Sequence, residues 1–206
     1  LSSDLIATRE GLTPEKHDAY ATTLQSESER LGHLVENVLS WSRLDQTAGP
    51  ELIEDVAWED QLQRSRPALE RRAAQAGMTL DVATESETSA SFQANPTAVD
   101  QILFNLVDNS CKYASQSEDT RIEISAGQRD RLFVIQVRDF GPGLSQEALA
   151  TLFQPFSKSA SAAAKTAPGV GLGLSLCRRL AASMNGELTH VPSAGGGTTI
   201  ELRLPA

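Results

Sequence analysis

Asn105, Asn109 and Lys112 stand four and then three residues apart in Gln101-Ile102-Leu103-Phe104-Asn105-Leu106-Val107-Asp108-Asn109-Ser110-Cys111-Lys112-Tyr113, a helix-sized and otherwise largely apolar stretch. At about 100° per residue the three fall within a narrow arc of one helix face. An amide on a half-buried helix face costs free energy unless something accepts its hydrogen bonds or coordinates its oxygen. Amide oxygens beside an ammonium group form a donor set for a hydrated hard cation that carries phosphates, typically Mg²⁺ with a nucleotide. Taken alone, the two amides serve equally well as caps for neighbouring backbone.

Three further stretches have chemistry of their own. Asp139-Phe140-Gly141-Pro142-Gly143 comes directly after a strand pattern. A carboxylate there can accept from an exocyclic amine, while the glycines let backbone approach a flat base. Alone, this spacing is a common turn. Gly169-Val170-Gly171-Leu172-Gly173-Leu174 runs straight into a helical pattern. Its N–H groups and the helix dipole favour phosphate oxygens. It lacks the P-loop lysine and does not match the dinucleotide fingerprint, and a flexible glycine hinge is the competing reading. Gly195-Gly196-Gly197-Thr198 precedes the last strand pattern and is equally well a tight turn.

These groups need elements to hold them. The 206 residues allow one large domain, or one domain with an appendage, and 40% hydrophobic content supports a real core. The formal net charge of −9 argues against nonspecific nucleic-acid binding, which needs a cationic face, but not against a small anionic ligand. No apolar run is long enough to cross a bilayer, and no signal-peptide pattern opens the chain. Cys111 and Cys177 fit neither a CxxC motif nor a disulfide framework; buried reduced thiols, compatible with the cytoplasm, are expected.

The pattern changes near residues 46–56. Residues 14–44 read as a long helix, with Thr13 as N-cap, Pro14 at the first position and Leu24, Leu31 and Val38 repeating every seven residues. With the shorter helical piece Leu1–Leu12 it makes a hairpin over 1–46 that must find further partners, most simply a second copy through residues 1–44. Residues 47–206 read as a mixed domain. Helices are predicted over Trp58–Ala76, from Pro96, and over Leu172–Met184. Strands are predicted at Met78–Ala83, Phe92–Ala94, Arg121–Ala126, Arg131–Val137, Glu187–Val191 and Thr198–Leu204, with a hairpin turn at Gly127–Asp130. The fold class is therefore α+β, a mixed sheet layered with helices behind a helical hairpin.

In chain order, these boxes together with Phe153-Gln154-Pro155-Phe156 resemble the ATP-binding domain of sensor histidine kinases, within the wider family shared with gyrase, mismatch-repair and heat-shock ATPases. Glu27–Leu31 through Leu39–Leu44 resembles the second helix of that family's dimerisation hairpin, so the resemblance covers nearly the whole chain. It implies a Bergerat-type α/β sandwich and ATP with Mg²⁺ as ligands. Asn109 would be the principal Mg²⁺ ligand with Asn105 beside it, Lys112 would face phosphate and Tyr113 would line the same site. Asp139 would bind the adenine amine, with Gly141 and Gly143 beneath and Thr198 nearby. Gly169, Gly171, Leu172 and Gly173 would meet the phosphates. Phe153 and Phe156 would anchor a lid, Ser157–Pro168, from which Lys158 could reach the γ-phosphate.

The same resemblance implies transfer of the γ-phosphate to a histidine and then to an aspartate on a response-regulator receiver domain. The family's phosphoacceptor motif, a histidine followed by an acidic residue and then Thr/Asn-Pro, does not occur here. His17 precedes Asp18 without a following Thr-Pro pair, and His33 and His190 fit surface or packing roles. The acceptor is expected upstream of Leu1, as is any membrane anchor, so no catalytic residue is assigned within the chain. Two other functions remain open: an ATP hydrolase of the wider family, which usually carries a general-base glutamate where this chain offers Asp108, and a nucleotide-binding scaffold that regulates a partner.

Overall fold

The computed structural model describes residues 52–84, 90–157, 171–193 and 195–206, with Tyr20 and Gly32 besides. The chain divides into two compact units, Leu1–Arg43 and Leu44–Ala206. Expectations for the hairpin of residues 1–46, for Lys158 and Gly169, and for the rest of the lid fall outside the described residues.

Within the second unit the elements run β1 (Glu54–Ala57), α1 (Trp58–Gln75), β2 (Thr79–Thr84), β3 (Ser91–Ala94), α2 (Pro96–Ala114), β4 (Arg121–Arg129) and β5 (Leu132–Asp139). They continue with α3 (Gln146–Thr151), α4 (Gly173–Ser183), β6 (Glu187–Val191) and β7 (Thr198–Pro205). Five strands form one sheet in the order β2-β4-β5-β7-β6, and β1 pairs with β3 apart from it. β2 and β4 are parallel and the other neighbours antiparallel, so the sheet is mixed, as expected.

Local chemistry accounts for the element that carries the asparagines. Asn95 caps α2, its side-chain oxygen accepting from the N–H of Thr97 at 2.9 Å and of Ala98 at 3.2 Å. Pro96 follows at the first position, where its missing N–H leaves nothing unsatisfied. The apolar stripe Val99, Ile102, Leu103, Leu106 and Val107 is buried. Each such side chain contributes about 1.5–3 kcal/mol of transfer free energy. Alternation then sets the sheet. Ile122, Ile124 and Ala126 of β4, Phe133, Ile135 and Val137 of β5 and Ile200, Leu202 and Leu204 of β7 form the buried face. Phe92 stacks on Phe133 at 4.7 Å between centroids, with Trp58 at 5.8 Å from the same ring.

Two features depart from the sequence reading. The β4–β5 turn lies not at Gly127–Asp130 but at Asp130 and Arg131, because the ladder runs on through Gly127–Val134 to Arg129–Leu132. Asp130 takes a left-handed backbone, φ 56°, which aspartate tolerates better than most residues. The short elements β1 and α3 were not anticipated.

Candidate functional site

The sheet, α2 and the start of α4 bring the separate boxes together. Asp139 ends β5 opposite Thr198, the first residue of β7. Its Oδ1 accepts from the N–H of Gly141 at 2.9 Å and of Thr198 at 3.1 Å. The carboxyl is buried, and desolvation raises its pKa above the usual aspartate value. Hydrogen bonds from Gly141, Thr198 and the Ser110 hydroxyl, and the charge of Arg138, pull it back down. Ser110 is a contributor the sequence reading missed, lying 29 residues from Asp139 along the chain.

Glycine is required here by close approach. A Cβ on Gly197, at φ 82°, would sit 2.0 Å from the Asp139 carbonyl oxygen. One on Gly141 would lie 2.9 Å from Ala114 Cβ and 3.0 Å from Asp139 Oδ1, and one on Gly143 3.2 Å from the Gly197 oxygen. The two glycine-bearing turns thus close on each other around the carboxylate, with α2 against Gly141.

Along α2, Asn105 is buried and donates from Nδ2 to the Gln101 carbonyl at 2.8 Å. A Cβ on Gly173 would stand 3.1 Å from Asn105 Oδ1, so the first residue of α4 packs directly on the first asparagine. Asn109 differs: its Nδ2 is buried with no hydrogen-bond partner among the described residues. An unpartnered buried amide costs about 1–3 kcal/mol. Tyr113, one turn on, is 42% exposed. Lys112 has a partner within the fold. Its ammonium pairs with Asp108 one turn back, and Asp108 also holds Arg72 Nε of α1 at 2.9 Å.

Leu172 precedes α4 and is buried, and no side chain among the described residues caps that helix start. Gly171, at φ 77°, accepts from the Phe156 N–H at 2.9 Å, and a Cβ on it would lie 2.7 Å from the Ser157 oxygen. Both edges of the segment between them are thereby tied together. Phe156 departs from its expected role as an anchor: the residue is 69% exposed and its backbone is left-handed at φ 60°, so the tie is made by backbone. Phe153 lies beneath the Arg178 guanidinium at 5.4 Å.

Residues 94–206 match the family model described as Histidine kinase-, DNA gyrase B-, and HSP90-like ATPase. The signal transduction histidine-protein kinase AfsQ2 of Streptomyces coelicolor is 33% identical over 180 residues, which is 87% of this chain and 31% of that protein. The autoinducer 2 sensor kinase/phosphatase LuxQ of Vibrio cholerae is 32% identical over 193 residues, 90% of this chain and 22% of that protein. The chain thus spans less than a third of the length of either relative. Among solved structures, full-length ShkA in complex with AMPPNP matches 95% of the chain, and 40% of its own, with a TM-score of 0.71 at 27% identity. The Acinetobacter baumannii histidine kinase AdeS shares the fold, with a TM-score of 0.70 at 19% identity over 98% of this chain and 90% of its own.

Proposed function

The chain belongs to the histidine kinase-, DNA gyrase B- and HSP90-like ATPase family, and on that premise we propose that it is the ATP-binding kinase core of a two-component sensor histidine kinase. The observation that carries this reading is the pairing of a preformed carboxylate acceptor at the end of β5 with an unpartnered amide on α2. The Asp139 carboxylate is held by two backbone N–H groups, while Asn109 of α2 keeps a buried amide nitrogen without a hydrogen-bond partner among the described residues.

The residues present fit Mg-ATP. Asp139 keeps acceptor capacity beyond its two backbone bonds, which suits the adenine amine, with Gly141, Gly143 and Thr198 beside it. Asn109 and Asn105 supply amide groups for the metal and triphosphate, and the start of α4 at Leu172 and Gly173 supplies N–H groups for phosphate. Gly169, Gly171, Tyr113, Phe156 and Lys158 complete the proposed ATP set. Bound Mg²⁺ would neutralise charge on the transferring phosphoryl group. The chain itself positions the nucleotide and adds electrostatic stabilisation, including Lys112 once it turns from Asp108.

The receiving groups we propose are a histidine outside these residues and then an aspartate of a response-regulator receiver domain, in a homodimer formed through residues 1–44. None of the motifs around His17, His33 or His190 suits an acceptor, so this chain should bind ATP without phosphorylating itself. A hydrolase needs a carboxylate free to take a proton from water. Asp108 is held by both Arg72 and Lys112, which disfavours that reading. No described helix is long and apolar enough to cross a membrane.

Calorimetric titration with Mg-ATP, followed by incubation with γ-labelled ATP, tests the proposal. Saturable binding without acid-labile label is expected. Absence of binding overturns the site, label on any of the three histidines overturns the acceptor assignment, and steady phosphate release favours the hydrolase.

A further inference from the structure

Phe140, between Asp139 and Gly141, takes no part in the hydrogen bonds that hold the Asp139 carboxylate. β5 ends at Asp139, and the Phe140 ring just beyond it packs against Arg138, which strand alternation puts on the face opposite Asp139. Ile122 is the last partner of Asp139 on β4, and Arg121 lies one position beyond it. The Arg121 guanidinium stands 4.7 Å from the centre of the Phe140 ring and that of Arg138, two residues back on β5, stands 4.5 Å from it. The ring is therefore gripped by two cations. Arg121 is itself fixed, bonding Asp119 through Nε at 3.0 Å and Nη2 at 2.7 Å and reaching Glu123 at 3.3 Å. On the other side of the backbone, a Cβ on Gly197 would come within 3.1 Å of Phe140 Cα.

We propose that Phe140, held from the back of the sheet by Arg121 and Arg138, is a positioning residue that sets how strictly Asp139 selects adenine. The geometry gives the reason. Asp139 Oδ1 is aimed by the N–H groups of Gly141 and Thr198, and the first lies one residue past Phe140. A turn free to rock on Phe140 would move that N–H and swing the carboxylate. Glycines at 141 and 197 leave the front face without side chains to resist this, so the back-face ring supplies the restraint. Arg138 adds a direct link, since its charge also favours the ionised carboxylate.

The inference rests on Asp139 being the adenine acceptor, and its test separates the two claims. ATP and purine riboside triphosphate, which lacks the exocyclic amine, are titrated with Mg²⁺ into the full chain, into Phe140→Leu and into Phe140→Trp. The wild-type chain should prefer ATP. Phe140→Leu keeps an apolar side chain but removes the cation–π contacts and should bind ATP about tenfold more weakly, with the analogue unchanged. Phe140→Trp should restore the preference. If the wild-type chain does not discriminate, the adenine assignment of Asp139 falls. If it discriminates and Phe140→Leu keeps its full preference, only the clamp falls. An equal loss for both ligands in Phe140→Leu also overturns the clamp, because a general loosening of the fold would spare neither.

Discussion

At the Asp139 end of the site the carboxylate already accepts two backbone N–H groups, whereas at the Asn109 end a buried amide nitrogen has no partner among the described residues. The first end is built before any ligand arrives. A Cβ on Gly197 would meet the Asp139 carbonyl oxygen at 2.0 Å, so only glycine admits this close approach of the two turns. On the proposed reading the second end is held in reserve: Lys112 rests on Asp108, and Phe156 sits in a left-handed conformation next to its backbone tie with Gly171. A flat base of fixed shape rewards a preformed acceptor. A triphosphate with its cation needs groups that move onto it, and such groups must be parked somewhere in the free protein.

Asn109→Ala should have the largest effect, and it tests the idea that this end is unfinished. Mg-ATP affinity should fall at least about 100-fold, in line with losing a metal ligand. The melting temperature should hold or rise, since removing an unpartnered buried amide removes its desolvation cost. A loss of several degrees without loss of affinity would show that Asn109 serves the fold, and the contrast between the two ends would collapse.

Asp139→Asn comes next and probes the preformed end. A charged hydrogen bond is worth about 1.5–3 kcal/mol, so ATP affinity should drop roughly 10- to 100-fold. The effect on folding should go the other way at neutral pH. Burial raises the folded-state pKa of Asp139 above its unfolded value. That favours the folded state below the unfolded pKa of about 3.9, and the contribution is lost as pH rises through the folded value. Near pH 7 the ionised carboxyl is therefore a burden that asparagine removes. Melting curves from pH 4 to 8 should show the variant gaining on the wild-type chain as pH rises; a constant gap would mean the two N–H bonds fully offset the burial.

What the sequence revealed follows the same division. The start of α2 at Pro96, its apolar stripe and the Asp139–Gly143 turn are local, so residue type and spacing were enough to place them. β1 was missed because a four-residue strand with only Val56 buried has little periodicity, and its pairing of Glu54 with Ala94 spans the intervening α1 and β2. α3 was missed because it is only six residues long, though Ser145 caps it through the Ala148 N–H at 3.2 Å. Ser110 near Asp139 depends on α2 docking against the end of β5, which no local pattern states. The Lys112–Asp108 pair sits at i,i+4, a spacing the sequence displays directly.

That pair gives the smallest expected effect and the sharpest view of the reserve end. Asp108 is held from two directions, by Lys112 on its own helix and by Arg72 from α1, with all three side chains largely covered. If nucleotide phosphate draws Lys112 away, Arg72 is what keeps Asp108 from being left as a half-buried charge alone. In Arg72→Met that compensation is gone, so Lys112 should be retained by Asp108. Mg-ATP should then bind a few-fold more weakly, in keeping with about 0.2–1 kcal/mol for a partly exposed pair, and added salt should narrow the difference. Asp108→Asn in the same background should restore affinity, because it releases Lys112 without exposing a charge. If Arg72→Met binds as the wild-type chain does at low salt, Lys112 does not leave Asp108 when nucleotide binds. The phosphate end would then be as fixed as the adenine end.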